Sequence, residues 1–242
     1  MSEESKNPPY VLWLDLESTG LDPRSCQILE VAWRLTKFEF PFETVSHPLA
    51  SGNVLVAAHV PAHALVTMQW DEIHPVVKEM HEKSGLFNDL GNRNLNQVSI
   101  EQIENRLFGL SAEWPTDKDE KVVLGGNSVH FDLGFLRVHM PTFAKRLSHR
   151  VLDVSAISLL CRSLGMPRLP KVEAAHRAQA DLEQSISQLH ACVDWLRAGQ
   201  FAAFSQRLAA VEAIQAEVAE KVSSVLERTN RAAELARRGE GR

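Results

Sequence analysis

Asp15 and Glu17 stand two apart in an apolar run, Asp132 follows Gly125-Gly126-Asn127-Ser128, and His176 precedes Asp181 by five positions. Side chains alternate along a strand, so Asp15 and Glu17 point to the same face. Two anions side by side are costly without a cation. The turn Ser18-Thr19-Gly20-Leu21-Asp22-Pro23 follows them, which places the pair at a strand end that a metal ion and a substrate can reach. Asp132 is expected to open a helix, where the N-terminal dipole favours a carboxylate with or without a catalytic duty. His176 and Asp181 fall on a helix expected over 175–197, neighbours but not stacked. Singly, each feature has an ordinary reading: a solvated strand end, a helix-terminal carboxylate, a histidine on an Ala-rich helix. Together, four carboxylates suit hard divalent cations that prefer oxygen, and an imidazole with an ordinary pKa of about 6.5 suits proton abstraction near neutrality.

The elements that must position these residues read as α/β. Tyr10–Leu16 is a buried strand and Ile28–Phe40 a second, with further strand signal at Phe42–Val45 and Val54–Val56, an opening antiparallel meander. Beyond Pro61 the spacing turns helical, with helices expected near 65–82, 98–111, 131–139, 154–164 and 175–197, and short strands at Val122–Leu124 and Val151–Leu152. A mixed central β-sheet flanked by helices follows. From Phe201 the apolar residues Phe204, Leu208, Val211, Val218, Val222 and Val225 recur at steps close to helical, which adds a long C-terminal amphipathic helix. Its charges are interspersed, which favours a packing or dimerisation helix over a nucleic-acid arm. The expected division is a catalytic domain over 1–198 and a helical extension over 199–242.

With 242 residues, 44% of them hydrophobic, the chain can bury one substantial core. No segment offers the roughly 18 uninterrupted apolar residues of a membrane span. The N-terminus has no basic, then apolar, leader pattern. Cys26, Cys161 and Cys192 are odd in number and widely spaced, which fits reduced thiols in the cytoplasm rather than a disulfide framework or a zinc site. His59 and His63 have ligand spacing, but Pro61 lies between them and no third ligand stands nearby. A formal net charge of -5 argues against gripping long nucleic acid through its phosphates and favours a short polyanion.

The order D-x-E, D, H-x4-D, each part beside its own local signature, resembles a known family. Trp13-Leu14-Asp15-Leu16-Glu17-Ser18-Thr19-Gly20-Leu21-Asp22-Pro23 is similar to the first exonuclease motif of oligoribonucleases, with Ser18 where the family usually has Met. Gly126-Asn127-Ser128-x-x-x-Asp132-x-x-Phe135-Leu136 resembles the second motif, and Leu152-Asp153-Val154-Ser155 the segment between motifs. His176-Arg177-Ala178-x-x-Asp181-x-x-x-Ser185 resembles the third, and Met80-His81-x-x-Ser84-Gly85-Leu86 adds a further match. The resemblance runs in order from about residue 10 to residue 195.

It implies a DEDDh 3′→5′ exonuclease of RNase H-like, DnaQ-like fold, working as a homodimer on short single-stranded RNA, dinucleotides above all, or on short single-stranded DNA. The cofactors implied are two Mg²⁺ or Mn²⁺ ions, with Asp15 bridging both, Glu17 and Asp181 on one ion or its water, Asp132 on the second, and His176 as general base. On the substrate side it implies Ser18 and Thr19 of the first motif, Leu21 as a wedge between bases, and Ser128, Arg150 and Ser155 as a cap on a terminal phosphate. Three positions depart from the family: Ala156 stands where the cap has a threonine, His149 where a base-reaching tyrosine is usual, and Val76 where a base-stacking tryptophan is usual. Trp70 is a substitute near at hand. Two other functions stay open at this level: a broader 3′→5′ exonuclease on RNA or DNA ends, and a nucleic-acid-binding module without catalysis.

Overall fold

The computed structural model describes residues 9–56, 75–92, 94–112, 114, 121–170 and 175–239. His59, His63, Trp70 and the first part of the helix expected from residue 65 lie outside these. The strands are β1 (Tyr10–Ser18), β2 (Ile28–Lys37), β3 (Ser51–Val56), β4 (Gln97–Val98), β5 (Val123–Gly126) and β6 (Val151–Asp153). The helices are α1 (Pro75–Lys83), α2 (Leu86–Gly91), α3 (Ile100–Leu110), α4 (His130–His139), α5 (Pro141–Ala144), α6 (Val154–Ser163) and α7 (Ala178–Gly239). No helix among the described residues is long and apolar enough to cross a membrane.

One mixed sheet runs in the order β4-β3-β2-β1-β5-β6. β1, β2 and β3 are antiparallel neighbours, while β1–β5, β5–β6 and β3–β4 are parallel. β1 lies at the centre because Val11 to Leu14 are apolar on both faces and fully buried, as a strand covered on both sides requires. The core on these strands is closed by Ile103 and Leu107 of α3, Phe135 and Leu136 of α4, and Phe143 of α5. α3 starts on a capping box in which the Ser99 hydroxyl accepts from the Gln102 N–H and the Gln102 side chain accepts from the Ser99 N–H.

Parallel β5 can lie against β1 only because it carries glycine. A Cβ added at Gly125 would sit 2.7 Å from Val11 Cγ1, and one at Gly126 would sit 3.0 Å from the Leu14 carbonyl oxygen. The chain leaves β5 through Asn127 and Ser128, the latter at φ 50, and enters α4 with Asp132 in its first turn.

The structure departs from the expected elements in several places, β2 ending at Lys37 rather than Phe40 among them. Phe42–Val45 forms no strand of the sheet: Pro41 has no N–H to give, Phe42 takes φ 60, and only an isolated bridge joins Thr36 to Thr44. β3 starts at Ser51, three residues before the strand signal at Val54–Val56. The last long helix starts at Ala178 rather than 175, so His176, at φ 48, belongs to the segment before it. That helix runs on to Gly239. The chain divides into two compact units, Met1–Cys192 and Val193–Arg242. Within the second, Val211, Ile214 and Val218 are exposed.

Candidate active site

β1 supplies the first two carboxylates by alternation. Asp15 stands opposite Ala32 of β2, and Glu17 stands opposite Glu30. α7 brings Asp181 to the same place: carboxylate oxygens of Asp15, Glu17 and Asp181 lie within 4.8 Å of one another. Asp132 reaches β1 from α4 and accepts a hydrogen bond from the Leu16 N–H at 3.1 Å. It is 4% exposed.

The electrostatics follow from this crowding. Burial pushes Asp15 up to about 10, helped by the charges of Asp132, Glu17, Asp181 and Glu30. Burial likewise pushes Glu17 up to about 8, with Asp181, Glu30 and Asp132 adding and Arg177 opposing. Asp132 rises to about 8 through burial, against the pull of its backbone donors. Burial raises Asp181 too, offset by the nearby His176 and by backbone N–H groups of Ala175, His176 and Arg177. Two bare carboxylates at such spacing repel by roughly 3–4 kcal/mol at an effective dielectric near 20. A cluster of this kind is satisfied by protons or by cations, and an all-oxygen donor set suits hard divalent ions.

Behind Glu17 stands His81 of α1, fully buried. Its Nε2 lies 2.9 Å from the Ser18 carbonyl oxygen, which fixes that nitrogen as the donor. Its Nδ1 has no hydrogen-bond partner and lies 3.8 Å from Glu17 Oε2. Burial lowers the pKa of this imidazole, so it is a neutral wall behind the carboxylate rather than a counter-charge.

The turn after β1 is stapled from within. The Ser18 hydroxyl donates to the Gly20 carbonyl at 2.6 Å and Ser18 is buried, while the Thr19 hydroxyl accepts from the Gln27 N–H at 2.9 Å. Both hydroxyls, counted from sequence on the substrate side, are engaged in shaping the turn. Asp22 accepts from the Arg24 N–H and from the Ser25 hydroxyl. Leu21 is left at the tip, 79% exposed.

The structure also brings Ser128 and Ser155 together, with their hydroxyl oxygens 3.3 Å apart. One oxygen of Asp153 builds this pair by accepting from the N–H groups of Ser155 at 2.9 Å, Ala156 at 3.3 Å and Ser128 at 3.3 Å. His149 and Arg150 lie exposed just before β6. Three residues of this neighbourhood drew no role from the sequence: His81, Asp153 and Glu30. A charged residue inside the buried run of β2 was the available signal for Glu30.

No family model matches the chain. Among solved structures, E. coli exonuclease I in complex with a 5cy-dA13 oligonucleotide superposes with a TM-score of 0.51 at 15% identity. The match covers 76% of this chain and 40% of that one, so this chain spans about two-fifths of exonuclease I. The chain therefore has an RNase H-like exonuclease fold. Sequence relatives narrow the class. They include the probable oligoribonuclease of Dictyostelium discoideum, 36% identical over 194 residues, covering 78% of this chain and 90% of the relative. They also include the mitochondrial oligoribonuclease of Mus musculus, 35% identical, with 74% and 70% covered. The oligoribonuclease of Mycobacterium leprae is 33% identical, with 74% and 77% covered. The chain belongs to the oligoribonuclease family.

Proposed function

We propose that this chain is a divalent-metal-dependent 3′→5′ exoribonuclease that degrades short RNA, with dinucleotides as its best substrates. The observation that carries this reading is the convergence of Asp15, Glu17 and Asp181 within 4.8 Å, with Asp132 on the adjoining strand backbone. These four carboxylates would hold two Mg²⁺ or Mn²⁺ ions, which when bound would neutralise the charge on the phosphate under attack and on the departing 3′-oxygen. His176, presented beside Asp181 before α7, takes the proton from the attacking water. Leu21, exposed at the tip of its turn, separates the last two bases. The paired hydroxyls of Ser128 and Ser155, with Arg150 close in sequence, hold a terminal phosphate. Such a cap is filled only when that phosphate lies one linkage from the scissile bond, which favours the dinucleotide.

We also read the chain as a homodimer in the cytoplasm. Supporting the first are Leu159 and Leu160, exposed in the second half of α6, and Leu164, exposed just beyond it; supporting the second are three free cysteines. Sedimentation at twice the chain mass supports the dimer, and sedimentation as a monomer removes it.

A broader 3′→5′ exonuclease on RNA or DNA ends is the second reading, favoured by Ala156 and by Val76 exposed where a stacking aromatic is usual. Initial rates with Mn²⁺ on 5′-phosphorylated RNAs, from the dinucleotide to roughly a decamer, separate the two. A sharp maximum at the dinucleotide is expected, and a flat or rising profile selects the broader enzyme. Asp15→Ala should abolish cleavage; retained activity in the pure variant refutes the assignment of the cluster.

A further inference from the structure

Glu30 is 1% exposed on β2, directly opposite Glu17. Like charges facing each other across two strands are unfavourable, and a buried carboxylate persists only when its oxygens are satisfied. Glu30 meets that condition. Its Oε2 accepts from Arg177 Nε at 3.1 Å and from the Ala178 N–H at 3.0 Å, and its Oε1 accepts from Arg177 Nη2 at 3.2 Å. Arg177 Nη1 reaches Asp89 Oδ2 of α2 at 2.8 Å. Four residues further along the same strand, Arg34 pairs with Glu183 of α7 through a second two-point contact. β2 therefore fixes the entrance of α7 at Arg177, Ala178 and Glu183.

The residue immediately before this clamp is His176, which sits at φ 48, a left-handed backbone uncommon for residues other than glycine. With both carboxylate oxygens taken by donors from the α7 entrance, Glu30 is not placed as a further metal ligand. We propose that Glu30, acting through its two-point contact with Arg177 and its bond to the Ala178 N–H, is a positioning residue that holds His176 in its left-handed conformation beside Asp181 for proton abstraction. The inference rests on the reading of His176 as the general base. Glu30 is buried and acts through Arg177 and Ala178; its work is to restrict where the imidazole can be.

The test compares Glu30→Gln and Arg177→Lys, each in the parent chain and in His176→Asn, by single-turnover cleavage of a 5′-phosphorylated RNA dinucleotide with Mn²⁺ and excess protein. KM, Mn²⁺ affinity by paramagnetic resonance and the melting temperature are measured alongside. In the parent, kcat should fall by about 10–100-fold, as expected when a reacting group is misplaced by about an ångström. KM and Mn²⁺ affinity should stay within about threefold, and in His176→Asn the same substitutions should cost less than about twofold, because residues acting as a unit are not additive. Equal losses in both backgrounds, an unchanged kcat in the parent, or a loss of Mn²⁺ affinity in a folded variant overturns the proposal while leaving His176 as the base. If His176→Asn itself keeps the parent rate, the base assignment fails and this inference with it. Arg177→Lys keeps the charge without the fork, so it carries the test if Glu30→Gln melts before assay.

Discussion

Asp15, pushed up to about 10, and Glu17 and Asp132, each pushed up to about 8, hold protons in the folded chain that the same groups release near 4 when unfolded. Burial is the leading cause for all three, with mutual repulsion added for Asp15 and Glu17. The metal-free fold therefore binds protons more tightly than the unfolded chain does. The stability this contributes is complete below the unfolded values and is lost as pH climbs through the folded ones. The melting temperature of the chelator-treated protein should fall steadily from about pH 5 to about pH 9. Mn²⁺ should restore it, and by more at the alkaline end, where the ion competes with fewer protons. Differential scanning fluorimetry across that range reads both slopes; a stabilisation by Mn²⁺ that is the same at every pH would remove these carboxylates as the ligands. Of the residues involved, the shared face of Asp15 and Glu17 was legible from strand alternation, whereas Asp132, by itself an ordinary helix-terminal carboxylate, stood out only through the motif it belongs to. Ser18 and Thr19 were legible only as motif members, because the direction of a hydroxyl within a tight turn depends on which carbonyl or N–H the turn brings within reach.

At the level of elements, the junction of β5, β6 and α6 is where one side chain does two jobs. Asp153 caps α6 through the Ser155 and Ala156 N–H groups and also takes the Ser128 N–H across from the β5–α4 connection. Asp153→Ala should lower stability by about 1 kcal/mol, the usual cost of an N-cap, seen in urea as a lower midpoint with an unchanged slope. It should also let the Ser128 and Ser155 hydroxyls drift apart, so that the preference for a 5′-phosphorylated over a 5′-hydroxyl dinucleotide falls toward one. Asp153→Asn keeps a capping oxygen and should keep both properties; a preference that survives in the alanine variant would show that the serine pair is not the cap. Sequence placed most elements well because their apolar patterns are strong, a continuous run in β1 and helical spacing in α3 and α4. It failed at the start of α7, where Ala174-Ala175-His176-Arg177-Ala178 has helical propensity throughout. The contact that overrides that propensity comes from Glu30, 147 positions away from Arg177, and a contact at that separation is set by strand register rather than by local composition. The Phe42–Val45 segment failed for a local reason, since Pro41 withholds a donor and Phe42 turns the chain the wrong way for pairing.

For the molecule as a whole, the net charge of -5 limits how nucleic acid is held. An exonuclease that tracks a long strand grips many phosphates with lysine and arginine and releases a counterion at each, so its affinity falls steeply with salt. For single strands the slope of log affinity against log salt is about −0.7 for each phosphate neutralised. A dinucleotide carrying a 5′-phosphate offers two such groups, one of which would face the carboxylate cluster. Between roughly 50 and 200 mM KCl, KM for that dinucleotide should then rise by less than about tenfold, whereas neutralising six phosphates would raise it by about two orders of magnitude or more. The fair comparison is the decamer measured beside it. If this chain reads only the last linkage and its phosphate, both substrates share the same shallow slope, because the extra phosphates of the decamer find no basic surface. A steep slope for the decamer alone would reveal a strand-gripping surface that the acidic composition hides, and would move the function to the broader exonuclease.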